Sequence, residues 1–209
     1  MNIQKLPLDR IIFLDIETVP VVKQFSDLSN NLQDLWIHKA QRIRPEVYAS
    51  PEMKFEQYAG IYAEFGKIIC ISMGLMYREE DSWKVRMKSL SGDDEKVLLE
   101  DFAELLTENL HPKKYVYLCG HNIREFDVPY ICRRMMVHRV TLPPYLHIAG
   151  KKPWELEHFL DTLTLWKFGD YKSYTSLKLL MALFGLPSPK EDIDGSQVGH
   201  VYWHENDLA

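Results

Sequence analysis

Cysteine is scarce in this chain. Cys70, Cys119 and Cys132 are its only three among 209 residues, and no two form a CxxC pair. A cysteine-based metal or disulfide framework is not expected, and thiols buried in a reducing cytosol are. Long apolar runs are missing too: the longest, Ile68–Tyr77, is far short of the roughly 20 residues that span a bilayer. The opening MNIQKLPLDR has no apolar stretch of signal-peptide length, which predicts a soluble, cytoplasmic protein without a membrane partner. There is no internal repeat and no Gly/Ser linker, so residues 1–209 read as one domain. Acidic residues are absent from Val128 to Trp154, where Arg133, Arg134, Arg139, Lys151 and Lys152 lie, and again from Tyr171 to Lys190. The net charge of −5 argues against bulk electrostatic coating of nucleic acid, but this asymmetry leaves room for one basic face.

What is present is a core-forming composition, 46% hydrophobic with five Trp and 11 Tyr. Ile11–Thr18 opens as a continuous apolar run, the pattern of a strand buried on both faces. Phe25, Leu28, Leu32, Leu35 and Trp36 recur at helical spacing, and a second helix is expected around Phe55–Phe65. Ile68–Arg78 and Trp83–Leu90 form a hairpin about the polar turn Glu79–Ser82. Acids at Ser91–Glu95 then lead into a helix with Leu98, Phe102, Leu105 and Leu106 on one face. Tyr115–Cys119 is a strand, and Asp127 opens a helix whose stripe is Val128, Ile131, Cys132, Met135 and Met136. Phe159–Leu165 is read as the fifth strand and Thr175–Phe184 as a helix stopped by Gly185 and Pro187. The order predicts an α/β fold, a mixed five-stranded sheet flanked by helices.

Asp15 and Glu17 stand two apart on a strand, so they share a face at roughly 7 Å along the backbone. Two carboxylates leaving a buried strand together repel each other and resist desolvation. A hard divalent cation with oxygen ligands would compensate them. The plainer alternative is that the strand ends at Leu14 and both acids are hydrated. Asp127, before Val128-Pro129, also has a plain reading as a helix N-cap. His121 reads as a loop or packing histidine and Asn122 as a turn former.

The combination is more specific than its parts. Phe13-Leu-Asp-Ile-Glu-Thr18 resembles the first motif (DxE) of the DEDD superfamily of 3′–5′ exonucleases. Gly120-His-Asn-Ile-Arg-Glu-Phe-Asp-Val-Pro-Tyr-Ile-Cys-Arg-Arg134 resembles the second motif, in the form seen in proofreading domains of B-family DNA polymerases. Phe65-Gly-Lys-Ile-Ile-Cys-Ile-Ser72 is similar to the strand leading into that family's hairpin. The nearest group is the stand-alone predicted exonucleases related to those domains, and the resemblance covers nearly the whole chain. It implies a ribonuclease-H-like fold and hydrolysis of nucleic acid, DNA ahead of RNA, from single-stranded 3′ ends. It also implies two ions of Mg²⁺ or Mn²⁺, with Asp15, Glu17 and Asp127 as catalytic metal ligands. Thr18, Asn122 and Phe126 would contact the terminal nucleotides, and Asp161 would be structural support rather than a ligand. Tyr130, Tyr171, Tyr174 and Trp166 are candidates for stacking against bases.

One element of the superfamily pattern is missing. The third motif, Tyr-x-x-x-Asp or His-x-x-x-x-Asp near the C-terminal end, is not found: four residues after Tyr171, Tyr174 and Tyr202 stand Thr175, Lys178 and Asn206. His204–Ala209 reads as a helix just beginning, so truncation before a last helix and impaired activity are expected. Glu191–Val198 is distinctive, without a physical account from sequence. A non-catalytic nucleic-acid-binding module is the alternative, and an endonuclease of the same fold is a third reading.

Overall fold

The computed structural model describes residues 5–44, 50–109, 116–170, 172, 174–187 and 198–205. Tyr115, Tyr171, most of Glu191–Val198 and the last four residues, all named above, lie outside these. The chain divides into two compact units, Met1–Ile16 with Cys70–Glu191, and Glu17–Ile69 with Asp192–Ala209.

A five-stranded sheet organises the fold: β1 Ile11–Pro20, β2 Gly66–Glu79, β3 Ser82–Ser91, β4 Tyr117–Gly120 and β5 Phe159–Asp161, in the order β3-β2-β1-β4-β5. The sheet is mixed, as expected. β2 and β3 pair antiparallel from Cys70↔Ser91 to Glu79↔Ser82. β1 runs parallel to β4, and β4 to β5. The hairpin turns over two residues, and Glu80 takes the left-handed conformation (φ 53°) that so tight a turn demands. β3 lies at the sheet edge and is exposed for nearly its whole length. Trp83, Val85 and Met87 point to one side of it and Lys84, Arg86 and Lys88 to the other.

In the larger unit, α3 (Glu95–Asn109) buries Leu98, Leu99, Phe102 and Leu106, while Asp94 accepts hydrogen bonds from the N–H groups of Lys96 and Val97 at its start. α4 (Asp127–His138) buries Val128, Tyr130, Ile131 and Met135. Met136, expected on that stripe, is 68% exposed, because one residue past Met135 the helix has turned toward solvent. The chain leaves α4 through Arg139 at φ 57°.

α3 and α4 are joined by a buried ionic cluster. Arg134 Nε lies 2.9 Å from Glu95 Oε1, and Arg134 Nη2 lies 2.5 Å from Oε2. His138 Nε2 lies 2.7 Å from the same Oε2 and acts as donor to it. Among the described residues no buried side-chain nitrogen or oxygen lacks a hydrogen-bond partner.

The other unit carries α1 (Asn30–Ala40) and α2 (Pro51–Tyr58) around Trp36, which is fully buried. Trp36 meets Phe55 and Phe65 edge-on, at 5.3 Å and 5.0 Å, and its indole N–H donates to the Pro51 carbonyl. A second cluster gathers Val19, Ile69 and Tyr202, and the Tyr202 hydroxyl lies 2.6 Å from Lys67 Nζ.

Four expectations are corrected here. β1 is not buried along both faces: Leu14 and Ile16 are buried on one, whereas on the other Phe13 (40%) and Asp15 are exposed between the buried Ile11 and Val19. The helix expected from Phe25 is a short 3₁₀ turn at Phe25–Asp27, and α1 starts only after Leu28 and Ser29 adopt extended backbone. The helix around Phe55–Phe65 starts earlier, with Pro51 at its first position and Ser50 capping it, and stops at Tyr58 before a 3₁₀ turn. The last strand ends at Asp161, because that carboxylate caps a helix, α5 (Thr162–Lys167).

Of the three thiols, Cys119 is buried and Cys70 and Cys132 are half-buried. Burial pushes Cys119 and Cys132 up to about 11, so both are protonated at neutral pH. Among the described residues no helix is long and apolar enough to cross a membrane.

Candidate active site

Asp15, from the first motif, and Asp127, from the second, both lie in the larger unit. Asp15 projects from β1 on its exposed face, where water can reach it. Asp127, the first residue of α4, is 3% exposed, and its Oδ1 accepts a hydrogen bond from the backbone N–H of Ile16 at 3.2 Å. One carboxylate thus ties the start of a helix to the residue following Asp15.

That burial has an electrostatic cost. Desolvation first, and then the negative charge of Asp15, push the Asp127 carboxyl from 3.8 up to about 7. The hydrogen bond from Ile16 opposes this without cancelling it. Asp127 therefore holds its proton to a higher pH than an ordinary carboxylate does.

The loop between β4 and α4 is shaped for the approach. A Cβ at Gly120 would come within 2.8 Å of the Leu14 carbonyl oxygen and 3.0 Å of Ile123 Cβ. Only glycine lets β4 pass that close to β1. Asn122 then takes the left-handed conformation (φ 68°) and turns the chain. Asp161 fixes the turn: its carboxylate accepts from the backbone N–H groups of Asn122 (3.1 Å), Arg124 (3.2 Å), Leu163 (2.9 Å) and Thr164 (3.2 Å). With four backbone donors on it, Asp161 braces two segments at once, the supporting role expected from sequence.

Sequence reasoning missed Arg124. Its Nε donates to the Phe159 carbonyl at 2.8 Å and Nη2 to that of Leu156 at 2.9 Å, stitching the loop to β5. Its place inside the second motif was the only available signal. His121 packs as expected of a loop histidine: Nε2 lies 2.8 Å from the Thr175 carbonyl and Nδ1 3.0 Å from the Thr162 hydroxyl.

Phe126 is half-buried at the N-cap of α4, its ring 5.5 Å from that of Tyr130. Tyr130 is itself 1% exposed on the inward stripe of α4, which removes it as a stacking platform. Tyr174 is exposed and sits edge-on to His121, and Trp166 packs edge-on against Phe184. Glu17 and Thr18 follow Asp15 on β1, belong to the other unit, and are half-buried.

Among the described residues no three of His, Cys, Asp and Glu are grouped to hold a metal ion. The donor set of Asp15 and Asp127 nevertheless fits a hard cation. Both are carboxylates, the Asp15 charge adds to burial in raising the Asp127 carboxyl, and Mg²⁺ is commonly held by one or two carboxylates plus substrate oxygens.

No curated protein matches the chain. Residues 61–209, well over half of it and including the second motif, match a family described as predicted 3′–5′ exonucleases related to the exonuclease domain of PolB. A mixed sheet flanked by helices, with the acid-bearing second motif at a helix start, is the ribonuclease-H-like arrangement that family implies, and the chain belongs to it.

Proposed function

We propose that this protein removes nucleotides from the 3′ end of single-stranded nucleic acid, DNA in preference to RNA, with Mg²⁺ or Mn²⁺. The observation that carries the reading is the coupling of Asp15 to the buried Asp127, whose carboxyl rises to about 7. Asp15 and Asp127 would hold metal, and Glu17, two residues from Asp15 along one strand, would complete the set. Two such ions, when bound, supply an activated water and neutralise charge on the departing 3′-oxygen. The chain's own part is positional. Ile16 N–H keeps one Asp127 oxygen oriented, and Asp161 holds the loop carrying Asn122. In our reading Thr18, Asn122 and Phe126 border the terminal nucleotides, and residues 1–209 act as one exonuclease module.

Turnover by these 209 residues is expected to be weak. Their C-terminal part contains neither form of the third motif, so water positioning and one metal site lack a side chain. One observation favours the alternative, a binding module without catalysis: no grouping of three metal-ligating side chains occurs among the described residues.

The test is a single strand labelled at its 5′ end, incubated with Mn²⁺ or Mg²⁺, alongside Mn²⁺ binding followed by paramagnetic resonance. Asp15→Ala is expected to reduce shortening by more than the roughly 10–100-fold typical of changes around a metal site. It should also weaken Mn²⁺ binding. Unchanged binding and digestion in Asp15→Ala would refute the assignment of the acids. A wild type that binds strands and Mn²⁺ but never shortens a strand would favour the binding module.

A further inference from the structure

A second concentration of chemistry lies in the unit of Glu17–Ile69 and Asp192–Ala209. His38, Lys39, Arg42, Ile43 and Tyr62 line a pocket of about 330 Å³. Three of the five are basic and none is acidic. From Leu35 to Pro45 the sequence has no Asp or Glu but contains His38, Lys39, Arg42 and Arg44. The family match begins at residue 61, so membership assigns nothing to the four lining residues that precede it.

Basic residues at the end of a helix have an ordinary explanation, since they complement its C-terminal dipole and free carbonyls. Here another side chain already fills that role. Lys54, buried, reaches from α2 and donates from Nζ to the carbonyls of Ala40 (2.9 Å) and Ile43 (3.0 Å). The end of α1 is therefore both hydrogen-bonded and charge-compensated from inside. Lys39 and Arg42 are positive groups beyond what the helix end requires.

They are also held. Lys39 Nζ lies 3.9 Å from the centroid of the Tyr62 ring. Tyr62 in turn sits edge-on to the buried Trp36 at 6.2 Å, and its backbone N–H is bonded to the Ala59 carbonyl. A lysine fixed on a ring that is fixed on a core loses less freedom on binding than a solvated one. Beside it, Arg42 supplies the planar fork that suits phosphate oxygens.

We infer that this pocket binds a phosphate group, and that its source is the phosphodiester backbone of a single strand. The choice of source rests on the exonuclease reading; the phosphate chemistry does not. Inorganic phosphate or a mononucleotide offers the same chemistry, and the experiment separates them.

Binding of a 5′-fluorescein-labelled single-stranded DNA is followed by anisotropy in EDTA, for wild type and for Lys39→Gln/Arg42→Gln. About tenfold weaker binding is expected in the variant. Its salt dependence, as the slope of log K against log salt, should be shallower by about 1.4, from two phosphates at about 0.7 each. Calorimetry with inorganic phosphate and with a mononucleotide should show no saturable binding at millimolar concentration.

Phosphate bound by wild type and not by the variant, with DNA affinity unchanged, would overturn the strand as source and leave a site for free phosphate. Equal behaviour of the two proteins towards all ligands would overturn the site. If the glutamine variant melts early, Lys39→Arg/Arg42→Lys keeps the charge and must bind DNA within a few-fold of wild type; a tenfold loss there would also overturn it. Digestion is scored separately: DNA binding that depends on Lys39 and Arg42, in a wild type that never shortens a strand, keeps the site and rejects the exonuclease.

Discussion

Asp127→Asn is expected to stabilise the metal-free protein at neutral pH while removing its proposed catalysis. An acid whose native pKa lies above its unfolded value binds its proton more tightly when folded. The stability linked to Asp127 is therefore complete below about pH 4, declines as pH rises towards 7, and stays low above that. The span from 3.8 to about 7 corresponds to roughly 4 kcal/mol, taken as an order of magnitude. Asparagine keeps an oxygen to accept from Ile16 N–H and has no proton to lose. Urea unfolding in EDTA at pH 8 should show the variant more stable by several kcal/mol, or about 10 °C in Tm. At pH 4 the two proteins should unfold alike. Mn²⁺ should narrow the gap at pH 8 by stabilising the wild type alone. A variant no more stable than wild type at pH 8 would show that Asp127 carries no strain of this kind.

The second large effect lies in the buried cluster. Glu95→Ala leaves the Arg134 guanidinium, 4% exposed, without the carboxylate that accepts from its Nε and Nη2. Breaking a buried pair from one side typically costs 3–5 kcal/mol, because the remaining charge stays desolvated. That is a large share of the roughly 5–15 kcal/mol that holds most domains together, and Tm should fall by on the order of 10 °C. Glu95→Met combined with Arg134→Met removes both charges at similar volume and should lie within about 1–2 kcal/mol of wild type. Thermal melts of Glu95→Met, Arg134→Met and the double variant measure the coupling. Independent, additive losses would mean that the ion pair is not what joins α3 to α4.

How far the sequence revealed this molecule depends on the range of each interaction. The hairpin was readable because its two runs and polar turn are local, and Glu79↔Ser82 pairs where the turn residues put it. Phe159–Leu165 was misread as one strand because a short apolar run does not distinguish strand from helix. What separates them is Asp161, whose side chain caps α5. Phe13 was apolar and assumed buried, but whether a strand face is covered depends on elements far away in sequence. In the candidate site, Asp15 and Asp127 were legible only through the motifs around them. Their coupling across more than a hundred residues could not be read from spacing. The Glu95–Arg134–His138 cluster gave no signal: each residue is ordinary on its own helix, and only tertiary packing joins them.

The exposed edge of β3 has a bearing on how the protein behaves in the tube. An open strand edge can pair with the same edge of another molecule, and lysines along it discourage that pairing. Lys84, Arg86 and Lys88 act as such a guard, beside an uncovered row of Trp83, Val85 and Met87. The guard works through charge repulsion, whose reach shrinks from about 8 Å at physiological ionic strength to about 3 Å in molar salt. Salt at the concentration used to strip nucleic acid during purification thus removes the barrier to self-association, and colloidal stability is best kept at low ionic strength.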